Sequence, residues 1–206
     1  MQFVRTNLSV IAMALVVGFS FAGCGNSSDQ EAMVSFTIDD LELVDSGLAV
    51  KSSGEMFTGF LVEYYIGAET NQLKSKSFVR KGKLNGLSEG WFRDGQQQVR
   101  EQFIDGKSHG VRVKWYSNGQ KQAEDSTEHG ELNGICRKWH DNGQLAEEIT
   151  MVKGQADGRA RSWHPDGSQK AEVLLKLGDV VEQNFWNKGE KPTGNEVFSV
   201  QSEEVE

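Results

Sequence analysis

Trp91, Trp115, Trp139 and Trp163 recur at a constant step of 24 residues. Three glycine columns keep the same phase: Gly95, Gly119, Gly143 and Gly167; Gly106, Gly130, Gly154 and Gly178; Gly86, Gly110, Gly134 and Gly158. A pattern held in phase over four copies makes each copy one small structural unit that buries its surface against its neighbours. It argues against a fold built around one irregular core. Within each copy an Asp-Gly or Asn-Gly dipeptide (Asp94-Gly95, Asn118-Gly119, Asn142-Gly143, Asp166-Gly167) separates two short runs, the first of which carries the Trp. Asp and Asn tolerate positive φ and Gly has no preference against it, so these pairs predict β-hairpins closed by type I′ turns. The segments 106–110 and 130–134, each opened and closed by Gly, then lead into the next hairpin. The expected fold class is all-β: an elongated, curled antiparallel meander with two strands per repeat.

A two-residue turn at Asn118-Gly119 pairs Tyr116 with Lys121 and Trp115 with Gln122, and paired residues share a face. The Trp row is then expected to be exposed, on a face with Gln98, Arg100, Gln122, Glu124, Arg137, Glu148, Arg161 and Glu172. The other face collects Tyr116, His140 and His164 with Cys136, Leu145, Ile149, Met151, Ala160, Ala171, Val173 and Leu175. It is the more apolar face and is expected to lie against a core. A single sheet supplies no second layer, so residues 33–38, with Leu41 and Leu43, are a candidate cover or first strand. A register slip of one residue would exchange the two faces.

The chain opens with Arg5 and then an apolar run over residues 8–22. Fifteen residues suit the core of an export signal and fall short of the about 20 that a spanning helix needs. The run ends in Phe21-Ala22-Gly23-Cys24, which resembles the lipobox of bacterial lipoproteins, with Phe21 standing where that motif usually has Leu. The resemblance implies cleavage before Cys24, lipid on its sulfur, and an exported, membrane-anchored protein of the bacterial cell envelope, at the outer membrane or facing the periplasm. The expected organisation is a signal peptide at 1–23, lipidated Cys24 with a polar tether to 32, a lead-in at 33–58, repeats at 59–190 and an acidic tail at 191–206. The mature part carries 21 Lys and Arg against 30 Asp and Glu, a net charge of −9. That balance opposes nucleic acid and anionic head groups, so attachment to a membrane must come from acyl chains.

An aromatic pair, Asn-Gly, a strand, and then Gly-x-x-x-Gly, as in Trp115-Tyr116-Ser117-Asn118-Gly119 through 130–134, resembles the bacterial variant of the MORN repeat. The resemblance runs over about residues 59–190 and gives five to six repeats. A looser first copy starts at Tyr64-Tyr65, and a truncated last copy ends at Phe185-Trp186-Asn187-Lys188-Gly189. Phe57-Thr58-Gly59 resembles a motif found where such arrays begin. The family implies a binding or scaffold module. Its antitoxin-like members imply an alternative, a partner-binding protein of a toxin–antitoxin type of system, which sits poorly with an exported chain.

The residues offer little chemistry. His140 and His164 hold equivalent places in adjacent repeats, two strands or about 10 Å apart, too far to share a zinc ion with ligand bonds of about 2.1 Å. His109 and His129 fall in turns between hairpins and read as solvated. Cys136 reads as a small buried hydrophobe. Glu124, Asp125, Glu147, Glu148 and Glu172 read as a solvated face. No nucleophile elbow, phosphate loop or dinucleotide fingerprint occurs. The expectation is a protein with no catalytic, cofactor or metal site. The row Trp91, Trp115, Trp139 and Trp163 has two readings: a structural one, with the indoles stacked along the sheet under Lys, Arg and Gln stems, and a functional one, as the candidate binding face for a protein or a surface polymer.

Overall fold

A computed structural model describes residues 35–36, 38–67, 72–190 and 198–199. The signal segment, Cys24 and the tether lie outside the described residues. Among the described residues sixteen strands follow one another: β1 Ser35–Phe36, β2 Leu41–Val44, β3 Gly47–Val50, β4 Gly59–Tyr64, β5 Leu73–Arg80, β6 Lys83–Trp91, β7 Gln97–Ile104 and β8 Lys107–Ser108. Then come β9 Gly110–Trp115, β10 Lys121–Glu128, β11 Glu131–Trp139, β12 Leu145–Val152, β13 Gln155–Trp163, β14 Gln169–Lys176, β15 Asp179–Phe185 and β16 Phe198–Ser199. From β4 to β16 the chain is one open antiparallel meander, with the short β8 beside β7. The segment β1 is a first strand, parallel to β4. β2 and β3 form a separate hairpin.

The repeat contains two kinds of turn, and the type I′ turns are not at the Asn-Gly sites. At Asn118-Gly119 only Gly119 has positive φ, +82°. Gly119 N–H donates to Tyr116 O, and Tyr116 N–H donates to Gln120 O. This is a three-residue loop, a type I turn followed by a left-handed glycine. The Asn118 carboxamide oxygen accepts from Gln120 N–H at 3.0 Å, which fixes Asn118 in the right-handed region. Gly95, Gly143 and Gly167 repeat the arrangement. The I′ turns are Lys81-Gly82, Asp105-Gly106, His129-Gly130, Lys153-Gly154 and Leu177-Gly178, where both residues have positive φ. Each closes a two-residue hairpin such as Glu128 opposite Glu131.

The three-residue loop shifts the pairing by one, so Trp115 faces Lys121 instead of Gln122. A bulge then places Gln122 as an extra residue, and Lys114 faces Ala123, Val113 faces Glu124 and Arg112 faces Asp125. Loop and bulge cancel, which is why most of the expected face assignment survives. Gln98, Ala146 and Lys170 are the equivalent extra residues. The corrections are local. Gln97 and Lys121 replace Gln98 and Gln122 in the Trp row, and Leu145 faces Trp139 on the Trp side rather than the apolar side.

The expected core beneath the Tyr and His column is absent among the described residues. The buried cluster sits at the N-terminal end of the sheet, where Leu41, Phe57 and Val79 pack with Leu48, Val50, Leu61 and Leu84. The β2–β3 hairpin caps that end. Leu48 N–H donates to Gly82 O at 2.9 Å, and Gly82 N–H donates to Phe57 O at 2.7 Å. A Cβ on Gly82 would lie 2.9 Å from the Leu48 carbonyl oxygen, a backbone atom, so the cap requires glycine there as well as in the turn. Leu41 belongs to this core, whereas Leu43 is 82% exposed. Beyond the cap only Thr127, Cys136 and Ala171, glycines aside, reach comparable burial among the described residues. Most of the sheet is a single layer with side chains half-buried on both faces.

Three kinds of bond tie repeats to their neighbours. The I′ glycine reaches back to the preceding repeat, as in Gly130 N–H to Ser108 O at 2.9 Å and Gly154 N–H to Leu132 O at 2.8 Å. The loop Asn reaches forward: Asn118 Nδ2 donates to Asp141 O, and Asn142 Nδ2 to Pro165 O, both at 2.7 Å. The third is the aromatic column. Tyr65 and Tyr116 donate through Oη to Trp91 O and Trp139 O at 2.8 Å. His140 Nε2 lies 2.9 Å from Trp163 O, and His164 Nε2 lies 3.4 Å from Trp186 O. The Tyr and His side chains therefore run along the array instead of down into a core.

Candidate binding face

The row on the Trp side reads Trp91, Gln97, Trp115, Lys121, Trp139, Leu145, Trp163, Gln169, with each indole opposite the first residue of the following strand. Two strand spacings separate successive indoles, a step of about 10 Å. The sequence predicts an exposed row; the indoles are in fact half-buried. Lys121 Nζ lies 5.0 Å from the Trp139 ring centroid and 2.6 Å from Glu124, so it bridges the aromatic row and the charged row beside it.

That charged row alternates in sign across five strands: Glu124, Arg137, Glu148, Arg161 and Glu172. Arg137 Nε is 2.8 Å from Glu148 and its Nη1 3.7 Å from Glu124. Arg161 lies 4.0 Å from Glu148 and 3.5 Å from Glu172, and Arg159 also bonds Glu172. The side chains are about one quarter to two fifths exposed, so each single pair contributes about 0.5 kcal/mol or less. Burial pushes the Glu172 carboxyl up, but the Arg159 hydrogen bond and the charges of Arg161 and Arg159 outweigh it and leave the pKa below its ordinary value. Both ladder arginines are flanked by carboxylates on two sides.

The repeat-to-repeat bonds fix the step of the indole row. The carbonyls of Trp91, Trp139, Trp163 and Trp186 each lie within hydrogen-bond reach of the Tyr or His of the repeat before. Phe92 holds the same place in its repeat and has no polar atom to offer Trp115. The sequence shows this aromatic column plainly, but not where its side chains point. The direction could have been suspected from composition, because four of the five residues of the column, Tyr65, Tyr116, His140 and His164, carry a polar tip and Phe92 alone does not.

The opposite face changes character along the array. Toward the N-terminal side it is polar: Ser77 and Ser88 share a bond of 2.6 Å, and Arg112 joins Asp125 at 2.7 Å and Glu101 at 3.9 Å. The same cross-strand row continues as Cys136, Ile149, Ala160 and Val173. Cys136 is buried, and burial foremost pushes its thiol pKa up, with the Asp125 charge adding to it. No group of three or more His, Cys, Asp or Glu side chains among the described residues is placed to hold a metal ion. Among them, too, no helix is long and apolar enough to cross a membrane.

Residues 132–153 match the family described as the MORN repeat variant. The match spans most of β11 and all of β12, with the Asn142-Gly143 loop between them and the Lys153 of the following I′ turn. The chain thus contains a MORN repeat variant at these residues, and the copies on either side share its turns and register at steps of 24. No curated protein matches the chain.

Proposed function

We propose that this chain is a non-enzymatic binding module, held at a bacterial envelope membrane by lipid on Cys24, that engages an extended surface polymer through its Trp face. The observation that carries the reading is the indole row itself. It is rigid in step, half-open to solvent, and placed on one side of an open single-layer sheet. MORN repeats commonly serve as binding or scaffold modules. A flat aromatic ring every 10 Å or so suits a linear partner that offers apolar faces at a similar interval, as a β-linked glycan does. The ladder favours a neutral polymer over a strongly charged one, because Arg137 and Arg161 are already neutralised by Glu124, Glu148 and Glu172. The overall acidity adds repulsion of anions.

The anchor rests on the sequence of residues 8–24 and on the polar stretch that follows. Two or more acyl chains give lasting attachment where one does not. Co-sedimentation with insoluble chitin fibres, whose β-1,4-linked N-acetylglucosamine chains are uncharged, tests the binding face. The wild-type chain is expected to pellet with them, and the double variant Trp139→Ala, Trp163→Ala to remain in the supernatant while keeping its fold by circular dichroism. A double variant that still pellets, or a wild type that does not, overturns the reading.

A further inference from the structure

His109 and His129 are 20 positions apart and occupy non-equivalent places in the repeat, so nothing in the periodicity connects them. The structure places their rings side by side, with centroids 5.8 Å apart and planes inclined at 55°. We propose that His109 and His129 form a binding site for one divalent transition-metal ion of the kind that prefers imidazole, with water completing its coordination. Two imidazoles that share a tetrahedral ion through bonds of about 2.1 Å hold their centroids about 5 Å apart. The observed separation exceeds that by less than 1 Å. The arithmetic that separates His140 from His164 brings this pair within reach.

The backbone holds both residues in place. His129 is the first residue of an I′ turn at φ +53°, and His109 N–H donates to Gln102 O at 2.8 Å. Between them the Ser108 and Thr127 hydroxyls join at 2.8 Å. The same two repeat positions meet elsewhere in the array. Asn85 Nδ2 lies 3.4 Å from Asp105, and Asn133 Oδ1 accepts from Lys153 N–H at 3.3 Å. Contact at this place is thus a property of the repeat, and only here do both positions carry histidine. His129 is exposed and His109 half-buried, so an ion and its waters can reach the pair from solvent. Imidazole nitrogen suits Zn²⁺, Ni²⁺ and Cu²⁺, while the hard Mg²⁺ and Ca²⁺ prefer oxygen. A bound ion would staple two neighbouring turns, and so two repeats, at one border of the sheet.

The test is Zn²⁺ binding to the full chain by competition with a chromophoric chelator, together with thermal unfolding in the presence and absence of excess Zn²⁺. The wild type is expected to take up one ion at this site and to melt at higher temperature with Zn²⁺ than without. His109→Ala and His129→Asn are each expected to weaken that binding by at least about tenfold and to abolish the shift in Tm. Asn tolerates positive φ, so the second variant keeps the turn. If the wild type shows no uptake, or if uptake and Tm shift persist in either variant, the site does not exist.

Discussion

Phe92→Tyr should stabilise this protein, although it adds a polar atom to a half-buried aromatic position. In the neighbouring repeats Tyr65 and Tyr116 each donate to the carbonyl of a Trp in the next copy at 2.8 Å. Phe92 lies in the same column, one repeat before Trp115, and a phenol there has the same acceptor within the same reach. A hydrogen bond of this kind contributes a net of about 0.5–1.5 kcal/mol. The reverse change, Tyr116→Phe, removes the bond and leaves the Trp139 carbonyl short of a partner, so its cost should fall in the upper half of that range. With a urea m-value of about 2 kcal/mol per molar, the midpoint should rise by about 0.25–0.75 M for Phe92→Tyr and fall by about 0.5–0.75 M for Tyr116→Phe. Equilibrium urea unfolding followed by Trp fluorescence reads both. Hydrogen exchange places the change in the strands on either side of the altered clamp, because neighbouring repeats support each other. Two midpoints that do not move, or that move in the same direction, would refute the clamp as a source of cohesion between repeats.

Further expectations follow from the turns, the ladder and the anchor. Lys153 holds φ +48°, where a long side chain is strained, so Lys153→Asn should raise stability by about 0.5–1 kcal/mol in thermal unfolding. Asn118→Ala should lower it by about the same amount, because it removes the bonds to Gln120 N–H and Asp141 O. The Glu172 carboxyl is held below its ordinary value of 4.5, so its contribution is complete above that pH and disappears as the pH falls through the lowered value. Glu172→Gln should therefore flatten the acid limb of stability against pH, measured as the urea midpoint from neutral pH downward, and leave the slope above about pH 6 unchanged. Cys24→Ala should move the protein from the membrane fraction to the soluble fraction, or stall its processing. Unchanged fractionation would remove the anchor from the account.

The periodicity made the architecture legible because turn glycines and a bulky aromatic are imposed by backbone geometry in each copy. Turn type was not legible, and the reason is specific. Asn-Gly and Asp-Gly are the strongest I′ signal among dipeptides, yet Asn118 and its equivalents use their side chains to bond backbone two residues on, and Asn118 and Asn142 also reach forward into the next repeat. Among the described I′ sites only Asp105-Gly106 carries that signal; the others begin with Lys81, His129, Lys153 and Leu177, and no local propensity announces positive φ at Lys or Leu. Geometry imposed by the neighbouring repeat, through bonds such as Gly130 N–H to Ser108 O, selects it instead. The faces were legible beyond the hairpin tips only because the loop and the bulge at Gln122 offset each other. The half-burial of the indoles was not, because it depends on what the intervening strand places between them, and Lys121 arrives there through the three-residue loop. The approach of His109 and His129 was hidden for a related reason: it joins two different positions of the repeat, which a search by equivalent columns passes over.

The most direct test of the binding account is calorimetric titration of β-1,4-linked N-acetylglucosamine oligomers of increasing length into the purified chain. If the indole row is a set of platforms at a fixed step of about 10 Å, affinity should rise in stages as the oligomer becomes long enough to reach a second and then a third ring. Trp139→Ala combined with Trp163→Ala should abolish those stages, and Lys138→Ala, on the opposite face beside Glu147, should leave them intact. An affinity that does not depend on oligomer length, that survives loss of the two indoles, or that is absent at all lengths would contradict the assignment of the Trp face.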